Sequence, residues 1–162
     1  MMKRVIVLCL AVLFVLGIAA MAYAGPKYVG ADKCKGCHKG EKNGEVFEKW
    51  LESKHAKAFD LLKGDEQKNP KCLACHTTGY GKETEAAPEA LHGVQCEACH
   101  GPGAEYKSKK VMEDKKAAQA AGLLIPNAKT CTDNCHNKNS PNFKEFDFDK
   151  SYAKIKHLAP KK

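Results

Sequence analysis

The chain has 162 residues, a formal charge of +8 and 28% charged residues, which is enough for one basic domain. Its lysines are spread along the whole length with acids between them, a solvated lysine-rich surface rather than a nucleic-acid or anionic-surface site. Core-forming residues are scarce outside short apolar clusters, so either part of the chain is disordered or something apolar that is not spelled out in the residues fills the middle.

Lys3 and Arg4 precede an almost wholly apolar run, Val5 to Ala22, which closes at Ala22-Tyr23-Ala24 before Gly25. That is the layout of a secretory signal peptide, so residues 1–24 are expected to be removed, Cys9 with them, leaving a single domain over 25–162. The 18 residues of the run also reach the lower limit for a membrane span, which makes an uncleaved anchor the alternative. Without Lys3 and Arg4 the formal charge is +6, and no later run could cross a membrane. Export to a periplasmic or extracellular space argues further against a nucleic-acid partner.

"CKGCH", Cys34 to His38, comes first in the expected mature chain. In "VFEKWLESKHAKAFDLL" the residues Val46, Trp50, Leu51, His55, Ala58, Phe59 and Leu62 recur at three- and four-residue steps, predicting an amphipathic helix with His55 on its apolar side. "CLACH" follows at Cys72 to His76. "LHGVQCEACHGPG" then places His92 four residues ahead of Cys96 and His100 directly after Cys99. The Lys-rich "AEYKSKKVMEDKKAAQAAGLL" is predicted as an outer helix, packed down by Met112, the only methionine after residue 24. "CTDNCH" carries Cys131, Cys135 and His136. In "FDFDKSYAKIKHLAP" a short helix is predicted from an Asp149 N-cap to Leu158, ended by Pro160, with Tyr152 and Ile155 inward and His157 near its end.

The eight cysteines after residue 24 fall into four pairs, and a histidine follows the second cysteine of each. Cys-x-x-Cys-His is the attachment signature of c-type haem. Two thiols about one helical turn apart can form thioethers with the two vinyl groups of one porphyrin, and the adjoining histidine lies under the iron. Zinc sites, disulfides and iron–sulfur clusters would use the cysteines but leave His38, His76, His100 and His136 unexplained. The fourth motif has three intervening residues; the extra one is expected to bulge outward and keep His136 in place, the alternative being a degenerate site with one thioether or none. Four covalent haem c groups would also supply the missing core. First cysteines are only 38, 24 and 35 residues apart, which leaves no room for separate domains, so the haems are expected close together. The predicted fold class is therefore mainly α, with short helices and loops wrapped around four haems.

Four bis-histidine haems need eight histidines, and the chain has seven. With four of them proximal, His55, His92 and His157 are the candidate distal ligands, and at least one iron lacks a second histidine whatever the oligomeric state. His92 suits a neighbouring iron rather than that of its own motif, where His100 holds the other face. For the remaining iron an open or water-bound site is the first reading; Met112, a lysine or the mature N-terminus are the other possible ligands.

The order "CKGCH", "SKHAKAF", "CLACHTTGYG", "GVQCEACHGPG" and "YAKIKH" resembles the tetrahaem cytochrome c-554 family of exported bacterial electron carriers over nearly all of residues 25–162. The resemblance implies a mostly helical fold, three bis-histidine haems and one five-coordinate haem. It further implies that His55 serves the third motif and His157 the fourth, with the second open. Two departures stand out: "AEYKSKK" lacks the histidine that the family supplies to the first haem, a job His92 could take, and the fourth motif is expanded. If His92 instead caps the second haem, the first becomes the open one.

The leading functional reading is an electron carrier whose lysines steer it to acidic redox partners, with donor and acceptor unnamed. Its alternatives are a small reductase of nitric oxide, hydroxylamine or a similar nitrogen compound at the open iron, and a subunit of an extracellular haem chain or homo-oligomer.

Overall fold

The computed structural model describes residues 25–157; the expected signal peptide and the last five residues lie outside them. Among the described residues there are eight short α-helices: α1 Asp32–His38, α2 Val46–Glu52, α3 Pro70–His76, α4 Cys96–His100, α5 Lys109–Met112, α6 Lys115–Ala120, α7 Ala128–Thr132 and α8 Phe148–Ile155. Four 3-10 turns lie between them, and pairing of extended backbone is confined to two isolated bridges, Tyr28 with Thr84 and Thr77 with His92. No described helix is long and apolar enough to cross a membrane. The mainly helical class matches the expectation.

The helices are short because the motifs set their lengths. α1, α3 and α4 each end on the histidine of a Cys-x-x-Cys-His motif, which holds both cysteines and the histidine on successive turns. α3 starts by design of its sequence: Asn69 caps the Lys71 amide at 3.0 Å, and Pro70 occupies the first turn, where its missing N–H costs nothing. The apolar core is correspondingly small, formed by Val29, Ala31, Phe47, Ala58, Leu62, Leu91, Tyr106 and Ala118.

Three predicted helices are shorter than their periodicity. The 46–62 pattern is helical only to Glu52, after which Ser53 turns extended and its hydroxyl accepts from the Ala56 amide at 3.3 Å, an alternative to the next helical bond. His55 therefore lies in a turn, not on a helix. Contacts from far along the chain select that turn: the Val94 amide donates to His55 O at 2.9 Å and the Trp50 indole donates to Val94 O at 2.9 Å. The Lys-rich stretch divides into α5 and α6, each capped by its own side chain, Ser108 and Asp114. The last helix is capped by Asp147 rather than Asp149, with the Lys150 amide at 3.0 Å, and it ends at Ile155, so that His157 sits beyond it.

Gly93 joins two of these parts. Its amide donates to His76 O at 3.0 Å, its φ is +83°, and a Cβ built there would overlap the carbonyl oxygen of Ala56. Gly93→Ala is expected to cost about 1–3 kcal/mol of unfolding free energy in chemical denaturation. An unchanged midpoint would mean that the segment moves aside freely.

Candidate functional site

The four cysteine-histidine motifs are linked by pairwise proximities of their cysteines. The Cys34 and Cys96 thiols lie close enough for each to shift the other's ionisation, joining motif one to motif three. Beyond the effect of burial, Cys75 lies close enough to Cys135 to raise its thiol pKa, joining motif two to motif four. Cys99 lies close enough to Cys131 for each to feel the other's charge, joining three to four. The spatial order along the chain of contacts is therefore one, three, four, two, which differs from the order in sequence.

Four of the seven histidines lie in two pairs. The rings of His55 and His136 have their centres 6.1 Å apart, and those of His100 and His157 are also 6.1 Å apart. Metal–imidazole bonds run about 2.0–2.1 Å, and about 1 Å more separates each nitrogen from its ring centre, so two imidazoles on one metal have centres roughly 6 Å apart. Both pairs have the spacing of axial ligands to a single iron. The resemblance implies that His55 serves the third motif and His157 the fourth; the ring spacings set His55 beside His136 of the fourth motif and His157 beside His100 of the third. Neither assignment can be read locally, because the turn at His55 is set by Val94 and that at His157 by the end of α8.

Hydrogen bonds orient the rings. Nδ1 of His76 lies 2.6 Å from Ala58 O, Nδ1 of His100 lies 3.0 Å from Leu124 O, and Nδ1 of His157 lies 3.1 Å from Ile155 O. A carbonyl only accepts, so Nδ1 carries the proton in each, and the Nε2 lone pair is free to bind a metal. His136 is held instead by stacking on Phe146, 4.4 Å between centres. Burial, the largest cause in each case, pushes His38, His55, His100 and His136 below the ordinary imidazole value; His136 adds to the effect on His55, as His100 and His157 do on His38. Neutral imidazole is the ligating form.

His92 is not brought against another histidine among the described residues. Its ring stacks on Phe59 at 3.5 Å and 11°, and its backbone bridges to Thr77.

The fourth motif accommodates its extra residue by a wider turn. In an α-helical Cys-x-x-Cys-His the histidine amide points to the carbonyl of the first cysteine, four residues back. The His136 amide donates to the same carbonyl, Cys131 O, at 2.9 Å across five residues, while α7 stops at Thr132. This single π-type turn absorbs the insertion and returns His136 to the register of the other three. Asn137 Nδ2 caps the end of the helix at Thr132 O, 2.7 Å.

Sequence reasoning missed the residues that hold the motifs together. Glu97, between the cysteines of motif three, is 1% exposed, and its carboxylate accepts from the amides of Val29 (3.0 Å), Gly30 (2.7 Å) and Gly103 (2.6 Å). Gln95 accepts from the Ala31 amide at 2.7 Å and donates to Ala90 O and His92 O. Together they tie the strand-like segment that leads into α1 against α4, which is why Cys34 meets Cys96. A glutamate between two cysteines carries no sequence signal of this role, because its partners lie up to 68 residues away.

The donor set fits covalent haem: four thiol pairs on or beside helical turns, each with a histidine in fixed register, and two histidine pairs at the spacing of one iron. Residues 33–101 match the family described as cytochrome c554 and c-prime. Over 130 residues the chain is 30% identical to cytochrome c-554 of Nitrosomonas europaea, an alignment that covers 68% of this chain and 52% of that protein. It thus spans about half the length of this curated relative. The solved structure of reduced cytochrome c554 from the same organism superposes with a TM-score of 0.58 at 25% identity, covering 81% of this chain and 79% of that one.

Proposed function

Because the chain belongs to the cytochrome c-554 family of tetrahaem c-type cytochromes with covalently bound haem c, we propose that it is an exported electron-transfer protein whose sites follow the order of motifs one, three, four and two. When bound, the haem irons supply reversible one-electron oxidation and reduction. Cys34/Cys37, Cys72/Cys75, Cys96/Cys99 and Cys131/Cys135 hold the four groups, and His38, His76, His100 and His136 bind beneath them. His157 completes the third site opposite His100, and His55 the fourth opposite His136. The observation that carries this reading is the pair of 6.1 Å histidine spacings, since two fixed, neutral imidazoles on one iron let it change charge with little movement. Close contact between cysteines of successive motifs supports transfer along the row. The exposed lysines suit docking to acidic partner proteins.

A second reading, binding or reduction of a small nitrogen compound at the second motif, has one observation in its favour. His92, the nearest candidate in sequence, is occupied by its stack on Phe59 rather than facing His76.

The test is intact mass and electron paramagnetic resonance on the purified holoprotein. The carrier reading expects the mass of four haems on residues 25–162, reversible reduction, and low-spin ferric signals from the haems of motifs three and four. A chain without covalent haem, or with haems that do not reduce and reoxidise reversibly, overturns it. Steady turnover of added nitric oxide or hydroxylamine would move the assignment to the second reading.

A further inference from the structure

The histidine count leaves motif one short. His55 and His157 lie opposite His136 and His100, and His92 lies on Phe59, so none of the seven histidines remains to complete the site of His38. A small cavity beside this motif is lined by Cys34, Cys37 and His38 of α1 and by Tyr106, Lys107 and Met112 of the segment that follows "CHGPG". Three of its polar side chains are poor ligands. The Tyr106 hydroxyl donates to Gly101 O at 2.6 Å and is held there. Lys107 is an ammonium paired with Glu85 at 2.8 Å. Lys33, which also borders the cavity, directly precedes Cys34, and an ammonium has no lone pair to offer. The Met112 thioether is soft, uncharged and carries free lone pairs.

Met112 is also firmly placed. It is the last residue of α5, whose first turn is capped by Ser108, and α6 follows at once with its own Asp114 cap and the fully buried Ala118. The sequence reading gave this methionine a packing role on an outer helix, with ligation of the remaining iron as an alternative; the division of that helix into two capped turns accompanies its place beside α1.

Resting on the tetrahaem reading above, we propose that Met112 is the second axial ligand of the haem held by Cys34, Cys37 and His38. Histidine/methionine ligation raises a haem potential relative to two histidines. Motif one is at one end of the spatial row, so the protein carries its highest-potential bis-ligated site at a terminus, opposite the open site at motif two.

The test uses the intact holoprotein, with peptide mass to establish haem on the Cys34–Cys37 segment and near-infrared magnetic circular dichroism to read the thioether-to-ferric-iron charge-transfer band. The wild type is expected to show that band. Met112→Leu, which keeps the packing volume, is expected to lose it and gain a high-spin signal. Met112→His is expected to lose it without becoming high-spin and to show a lower midpoint for one haem in potentiometry. Haem on Cys34–Cys37 with no thioether band in the wild type, or a band that survives in Met112→Leu, overturns the inference and leaves the carrier reading intact. A Cys34–Cys37 peptide without haem overturns both.

Discussion

Replacing His55 with alanine is expected to turn one further haem high-spin, and to do so only while the fourth motif keeps its haem. The expectation follows from the 6.1 Å spacing between His55 and His136. Removing the imidazole removes a strong-field ligand from one iron, and Phe146, which stacks on the far ring, offers no donor in its place. Site assignment comes from repeating the substitution in a Cys131→Ser, Cys135→Ser background. There the fourth haem is absent, and His55→Ala should add no high-spin signal beyond that of the parent. If His55 served the third motif, the extra signal would appear in both backgrounds. His157→Ala gives the mirror test: its effect should vanish with Cys96 and Cys99 replaced, because His157 faces His100.

The second large effect is expected at Glu97, far from any iron ligand in role although inside a haem motif. Glu97→Ala leaves three buried amides, those of Val29, Gly30 and Gly103, without an acceptor. Hydrogen bonds to a charged group contribute about 1.5–3 kcal/mol each and are not additive, so a loss of about 3–5 kcal/mol is expected. Unfolding in guanidinium, followed by the fluorescence of the single tryptophan Trp50, would measure it. Glu97→Gln should cost less but remain clearly destabilising, since the amide turns an NH2 toward donors. A loss below about 1 kcal/mol for Glu97→Ala would show that the segment 29–31 holds its place by other means.

These two residues illustrate different kinds of legibility. His55 stood out in sequence because a histidine among apolar residues at helical steps needs a reason, and its role as a distal ligand candidate was readable. Its partner was not. The helix that the periodicity predicts ends at Glu52, and the turn carrying His55 exists because Val94, from the stretch before motif three, donates to its carbonyl. Glu97 had no such prominence: it occupies a variable position of a short motif, and only the arrival of the Val29–Gly30 backbone gives it a function. Met112 falls between the two, noticed as the only methionine of its segment and placed beside motif one by the break between α5 and α6.

What the residues determined by themselves is the chemistry that depends on neighbours in the chain. Thiols one helical turn apart with a histidine beside them define four haem attachment sites, and seven histidines cannot supply four complete pairs. In the expanded fourth motif a π-type turn brings the His136 amide back to Cys131 O. The tertiary structure decided what joins distant segments: the His55 ring beside His136, the His157 ring beside His100, the motifs in contact in the order one, three, four, two, and Met112 lining a cavity with the first of them. The physical reason is that a proximal ligand is delivered by local helix geometry, whereas a distal ligand must approach from across the site. That approach is set by long-range hydrogen bonds and packing, which leave no periodic trace in the sequence.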